Sequence, residues 1–168
     1  QVNCRLENLG GELNAFTTKE DTTIHATVLR NDFTKAVELL SDVVFHSTFP
    51  DKELDKEREV IIDEINTYKD SPMDMIYDTF EDMLFEGSEL GHNILGRKRD
   101  LMRHDSAALH RFVDRTYSTD QMVFASIGNI SESRIEQIAN RYFAQYPATT
   151  RSYTRTTPGL YTAFDREQ

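Results

Sequence analysis

Glu57 and Glu64 lie seven residues apart in DKELDKEREVIIDEINTYKD, and their type and spacing could do chemistry. On a helix turning about 100° per residue, with Leu54 at zero, Ile61, Ile65 and Tyr68 fall within about 40° of it. Ile62 lies at about 80° and Val60 at about 240°. Glu57 and Glu64 lie at about 300° and about 280°, inside the arc these residues define. Asp55, Lys56, Glu59, Asp63 and Asn66 take the opposite side. Burying an unpaired carboxylate is costly, so an inward glutamate implies a cation, a metal, or a place at the edge of the stripe from which it reaches water or an arginine. Seven residues rise about 10.5 Å, too far for both to hold one ion without strain. If a metal is present, one glutamate ligates it and the other supports.

Other reactive residues carry less. Glu89 and His92 have a spacing used in di-iron helical bundles, but Gly91 interrupts any helix there and no second copy exists, so they read as a loop pair. His25, His46, His92, His104 and His110 are never four apart, which excludes a pair of histidine ligands on one helical face. His46, His104 and His110 read as surface or core-edge residues. Cys4 is the single cysteine and cannot form an internal disulfide. Asp70, Asp74, Asp78 and Asp82 repeat every four residues and read as a solvated acidic face. Phe80, Phe85, Phe112, Tyr117, Phe124, Tyr142 and Phe143 read as core.

The elements that must position these residues are marked by their ends. VNCRLENLGG has apolar residues at helical spacing and two terminal glycines, the tail of a helix entering from outside the 168 residues. ELNAFTTKEDTTIHATVLRN alternates about a charged turn at Lys19, Glu20 and Asp21, which predicts paired strands. FTKAVELLSDVVFHSTF predicts a helix with Phe33, Val37, Leu40 and Val44 on one face. Pro50 and Asp51 open the long helix of Glu57 and Glu64, and Ser71 and Pro72 end it. Ile76, Phe80, Met83 and Leu84 mark the next helix, closed by Gly87. A glycine-rich loop follows, with a short helix near Asp100. Asp105 caps a helix to Tyr117 with Leu109, Phe112 and Val113 inward. QMVFASIGN predicts a buried strand, and Ser131 with Arg134 to Phe143 a last helix. The fold class is α+β: an antiparallel or mixed sheet packed against several helices, incomplete at its N-terminal end. Residues 1–146 form the partial domain, and 147–168 a linker or strand towards the next.

The bulk properties narrow the classes of function. A chain of 168 residues with 38% hydrophobic and 29% charged residues suits one globular domain. Its net charge of -10 repels nucleic acid and anionic lipid, and the run Arg97, Lys98, Arg99 and Arg103 is too short to reverse that. No apolar run approaches the ~20 residues of a membrane span, so no membrane span is expected. No targeting segment fixes a compartment.

LGGELNAFTTKEDT, LDKEREVIIDEI and GHNILGR together resemble the pitrilysin, insulinase and mitochondrial-processing-peptidase family of inverted-motif zinc metallopeptidases, over nearly all the chain up to Phe143. In that family a helix carries HxxEH, and a glutamate about seventy-five residues later, in a pattern similar to E-R-x-V-x-x-x-E, completes the zinc site. The resemblance implies that Glu64 is the third zinc ligand and Glu57 the supporting carboxylate. It implies that Asn14, Ala15 and Phe16 form the strand edge to which a peptide adds. HxxEH occurs nowhere in these residues, and the family spacing places it about a dozen residues before Gln1.

The resemblance therefore implies a fragment of a zinc metalloendopeptidase acting on a peptide or small-protein substrate, with a second homologous domain or subunit as partner. Two histidines and Glu64 would hold zinc and leave one position for a water of lowered pKa. The glutamate between the histidines would serve as general base. The fragment itself is expected to bind no zinc and to cleave nothing. A noncatalytic scaffold of the same fold is the alternative, against which two inward glutamates argue. An unrelated α+β binding domain would make the matched stretches coincidental.

Overall fold

The computed structural model describes residues 3–146 and 148; the side chain of Cys4 and the Thr-rich tail lie outside the described residues. The helices are α1 (Asn3–Glu7), α2 (Phe33–Phe45), α3 (Asp51–Lys69), α4 (Pro72–Leu84), α5 (Lys98–Leu101), α6 (Ser106–Thr116) and α7 (Glu132–Phe143). The strands β1 (Glu12–Thr17) and β2 (Thr22–Thr27) form a two-stranded sheet. The chain divides into two compact units. One holds α1, most of β1, β2, α2, nearly all of α6, and α7. The other holds the hairpin turn Thr17–Asp21 and the chain from Pro50 to Ser106. The α+β class is as expected from the sequence.

In the first unit, α1 stops where the two glycines require it. The Gly11 N–H donates to the Leu6 carbonyl at 2.8 Å and the Gly10 N–H to the Glu7 carbonyl at 2.9 Å, with Gly10 at a φ of 71°. This pair of bonds closes a helix on a left-handed residue that glycine adopts without strain. Gly11 is needed for a second reason, since a Cβ there would meet Val28 Cγ1 at 2.8 Å. The helix end can thus turn directly into β1. Leu6, Ala36 and Leu39 form the core, with Leu9, Leu13, Ala26, Val28 and Val43 packed around them. A fully buried leucine contributes about 1.5–3 kcal/mol, so Leu6 and Leu39 anchor α1 and α2 to the sheet.

Two sequence expectations are corrected in this unit. On α2 the buried residues are Ala36, Val37, Leu39 and Ser41, whereas Phe33, Leu40 and Val44 are only half-buried. The reason is that α2 is covered on two sides, by β2 and by α7. Ser41 is tolerated because its Oγ donates to the Tyr142 carbonyl of α7 at 3.1 Å. The second correction is QMVFASIGN, which begins at the end of a short 3-10 turn, Thr119–Gln121, and continues without forming a strand. Val123 and Ile127 are almost fully exposed. A strand needs a neighbour for its N–H and C=O groups, and the sheet of the described residues contains only β1 and β2.

In the second unit, α3 packs against α4 and α5. Among the described residues, Ile65 of α3 is the one apolar side chain of this unit that is buried. The expected inward face of α4 is corrected: Ile76 and Phe80 are exposed, while Met83 and Leu84 are half-buried. On α6 of the first unit, Leu109 and Val113 are half-buried and Phe112 is exposed. In each case the wheel finds an apolar stripe, but only part of it has a covering element.

Candidate functional site

The long helix α3 is specified locally. Asp51 and Glu53 lie in its first turn and Lys69 in its last, each matching the helix dipole. Lys56 pairs with Glu53 at 2.9 Å and Arg58 pairs with Asp55, both one turn apart. Arg58 also donates to the His104 carbonyl, which ties the middle of α3 to the chain after α5. At the other end, Ser71 occupies the N-cap position of α4 without a side-chain cap bond, and Pro72 takes the first helical position, where a missing N–H costs nothing. The sharp break returns α4 beside α3.

One face of α3 then opens on a concave depression of about 530 Å³, lined by Val60, Asp63, Glu64, Thr67, Tyr68, Asp74 and Leu95. Three carboxylates, Asp63, Glu64 and Asp74, share it with three apolar or aromatic walls. The structure thus brings Glu64 into a concavity and leaves Glu57 out. Neither glutamate is buried, contrary to the inward placement the wheel predicts. Val60, at 50% exposure beside them, supplies the reason: this part of the apolar arc has no covering element among the described residues. An exposed carboxylate is hydrated and needs no protein partner, so burial no longer argues for a metal.

Beside Glu64 the structure shows a hydrogen-bonded cluster that sequence patterns miss. The Tyr68 hydroxyl lies 2.7 Å from the Asp74 carbonyl and donates to Asp78, which also accepts from Asn93 Nδ2. Lys19, from the hairpin turn, lies 3.4 Å from Asp78 and 2.7 Å from Glu81. Asp78 is therefore not part of the solvated acidic face expected of the aspartate series. Burial, then the hydrogen bond and charge of Asp78, then the charges of Asp74 and Glu81 push the Tyr68 phenol up to about 12. For Lys19, burial disfavours the ammonium, but hydrogen bonds and charges from Glu81 and Asp78 outweigh it and raise its pKa. The available sequence signal was Tyr68 itself, one turn beyond Glu64. Nothing in the spacing links it to Lys19, Asp78 or Asn93.

Asn14, Ala15 and Phe16 all lie on β1 and are exposed. The Ala15 N–H donates to the Asn14 side-chain oxygen at 2.9 Å. That N–H is held by a side chain on its own strand, and β1 has β2 as its only strand neighbour among the described residues. The first unit therefore presents a strand edge that is self-capped at Ala15.

All five histidines are exposed. Among the described residues, no three His, Cys, Asp or Glu side chains converge into a metal-binding group. Glu64 has the chemistry of one zinc donor, but one carboxylate does not make a site, which needs three protein ligands and an open position. Among the described residues, no helix is long and apolar enough to cross a membrane.

The sequence profile described as Insulinase (Peptidase family M16) matches residues 1–98. The chain belongs to this peptidase family. A second profile of the same family, described as Peptidase M16 inactive domain, matches residues 105–167. The chain is 36% identical over 142 residues to the uncharacterized zinc protease YmxG of Bacillus subtilis, covering 84% of this chain and 34% of that protein. It is 30% identical over 146 residues to the mitochondrial-processing peptidase subunit beta of Saccharomyces cerevisiae, covering 87% and 32%. It thus spans about a third of the length of these relatives. The fold matches that of the periplasmic protease PqqL from Escherichia coli with a TM-score of 0.79 at 21% identity, over 95% of this chain and 18% of that one. Membership of the insulinase family thus rests on the sequence, and the fold agrees with it.

Proposed function

We propose that this chain is part of a zinc-dependent endopeptidase in which Glu64 supplies one of three protein ligands and two histidines outside residues 1–168 supply the others. The observation that carries this is the place of Glu64: exposed, on the long helix α3, in a concavity, and within the motif that resembles the family's third ligand. Asn14, Ala15 and Phe16 would bind the peptide as an added strand, its carbonyl displacing the Asn14 side chain from the Ala15 N–H. Glu57 would act as a support from two turns away. When bound, zinc supplies an acidified water at its open position. The residues of this chain hold one coordination position and the peptide. The isolated 168 residues, with one donor, would be inactive. A second homologous domain or subunit would complete the enclosure of the substrate, with 1–146 belonging to the peptidase domain and 147–168 leading onward.

The test is Glu64→Gln in the full-length protein, which keeps the shape and removes the charge. Peptidase activity is expected to fall by at least about a hundredfold, the upper end of what even an outer partner of a metal ligand contributes. Unchanged activity would sink the assignment. The second reading, a noncatalytic scaffold, draws on the profile described as an inactive domain over residues 105–167 and on the exposure of both glutamates. It predicts that the full-length protein holds no zinc at all.

A further inference from the structure

Asp78 joins two of the walls of the depression that Glu64 faces. Tyr68 forms one wall and donates its hydroxyl to the Asp78 carboxylate. Leu95 forms another, and its N–H donates to Asn93 Oδ1 at 2.8 Å, while Asn93 Nδ2 donates to the same Asp78 carboxylate. One carboxylate on α4 therefore fixes the end of α3 directly and the Leu95 loop through a single asparagine. Lys19 supplies the countercharge at 3.4 Å, which keeps this half-buried anion in place. Both donors are neutral and sit on side chains with few rotatable bonds, so a small shift of Asp78 moves both walls. Arg58 holds α3 on the other side of Glu64, so the helix is pinned before and after that residue.

We propose that Asp78 is a positioning residue: through Tyr68 and Asn93 it sets the separation of the walls beside Glu64, and hence the fit of a peptide side chain there. It touches neither the metal position nor the substrate. The inference rests on the assignment of Glu64 to a zinc peptidase site. In the full-length protein, Asp78→Ala, Tyr68→Phe and Asn93→Ala are each expected to raise KM by about 10-fold, the scale on which groups behind a site act. Zinc content and kcat should stay near the wild-type values. A readout independent of activity is amide hydrogen exchange of the metal-free protein. The Leu95 amide should exchange faster in Asp78→Ala and Asn93→Ala but not in Tyr68→Phe, because only the first two release that loop. Unchanged KM and unchanged Leu95 exchange in Asn93→Ala would overturn the proposal, even if Glu64→Gln still abolishes zinc binding. Retained zinc and activity in Glu64→Gln would instead remove the underlying site. Should Asp78→Ala fail to fold, Asn93→Ala gives the same reading in KM and in Leu95 exchange, and Tyr68→Phe gives it in KM.

Discussion

The two units of the chain are held by different forces. The unit of α1, the sheet and α2 has a core in the ordinary sense, with Leu6, Ala36, Val37 and Leu39 almost wholly removed from water. Among the described residues, the unit of α3 and α4 has Ile65 alone in that condition, and is tied instead by Tyr68, Asp78, Asn93, Lys19 and Arg58. The candidate zinc ligand sits in the second. Burial is non-directional and tolerates small shifts, whereas hydrogen bonds fix angles and separations. A site that must hold a carboxylate at a set position is better served by the second kind of support, at some loss of stability.

The sharpest way to break this comparison is in the two cores. Leu6→Ala should destabilise the first unit by about 3–5 kcal/mol, near the top of the range for leucine in a packed core. Ile65→Ala should cost about 2–3 kcal/mol, because an open neighbourhood can relax around the lost atoms. Opening free energies from hydrogen exchange of each unit's amides separate the two effects, and equal losses would show that the units share one core. Smaller still, Tyr68→Phe should cost the second unit about 1.5–2 kcal/mol, the low end for a hydrogen bond to a charged group, and leave the first unchanged.

The last prediction concerns pH. Tyr68 has a raised folded-state pKa, so its contribution is fully present below the unfolded value near 10 and is lost as pH rises through about 12. Lys19 is shifted in the same direction, and its contribution is likewise present below its unfolded value and lost as pH rises past it. The second unit should therefore loosen first in alkali. In an ultraviolet phenolate titration, Tyr68→Phe should remove a late-titrating tyrosine; an unchanged late phase would assign that phase to another residue.

What the sequence makes legible is local. Gly10 and Gly11 specify the end of α1, and Pro50 with Ser71 and Pro72 bounds α3, because caps and breakers act through their own backbone. The exposure of Glu57 and Glu64 is not legible, since a wheel reports which residues share a side and not whether anything covers that side. QMVFASIGN failed as a strand for a related reason: its propensity is real, but a strand is completed only by another strand. The cluster at Asp78 was invisible, because Lys19, Tyr68, Asp78 and Asn93 meet only through folding.

The central claim is that Glu64 is a metal ligand placed in an acidic concavity, and zinc content tests it most directly. Metal analysis of the purified full-length protein and its Glu64→Gln variant should find stoichiometric zinc in the first and little in the second. Equal zinc in both would contradict the assignment.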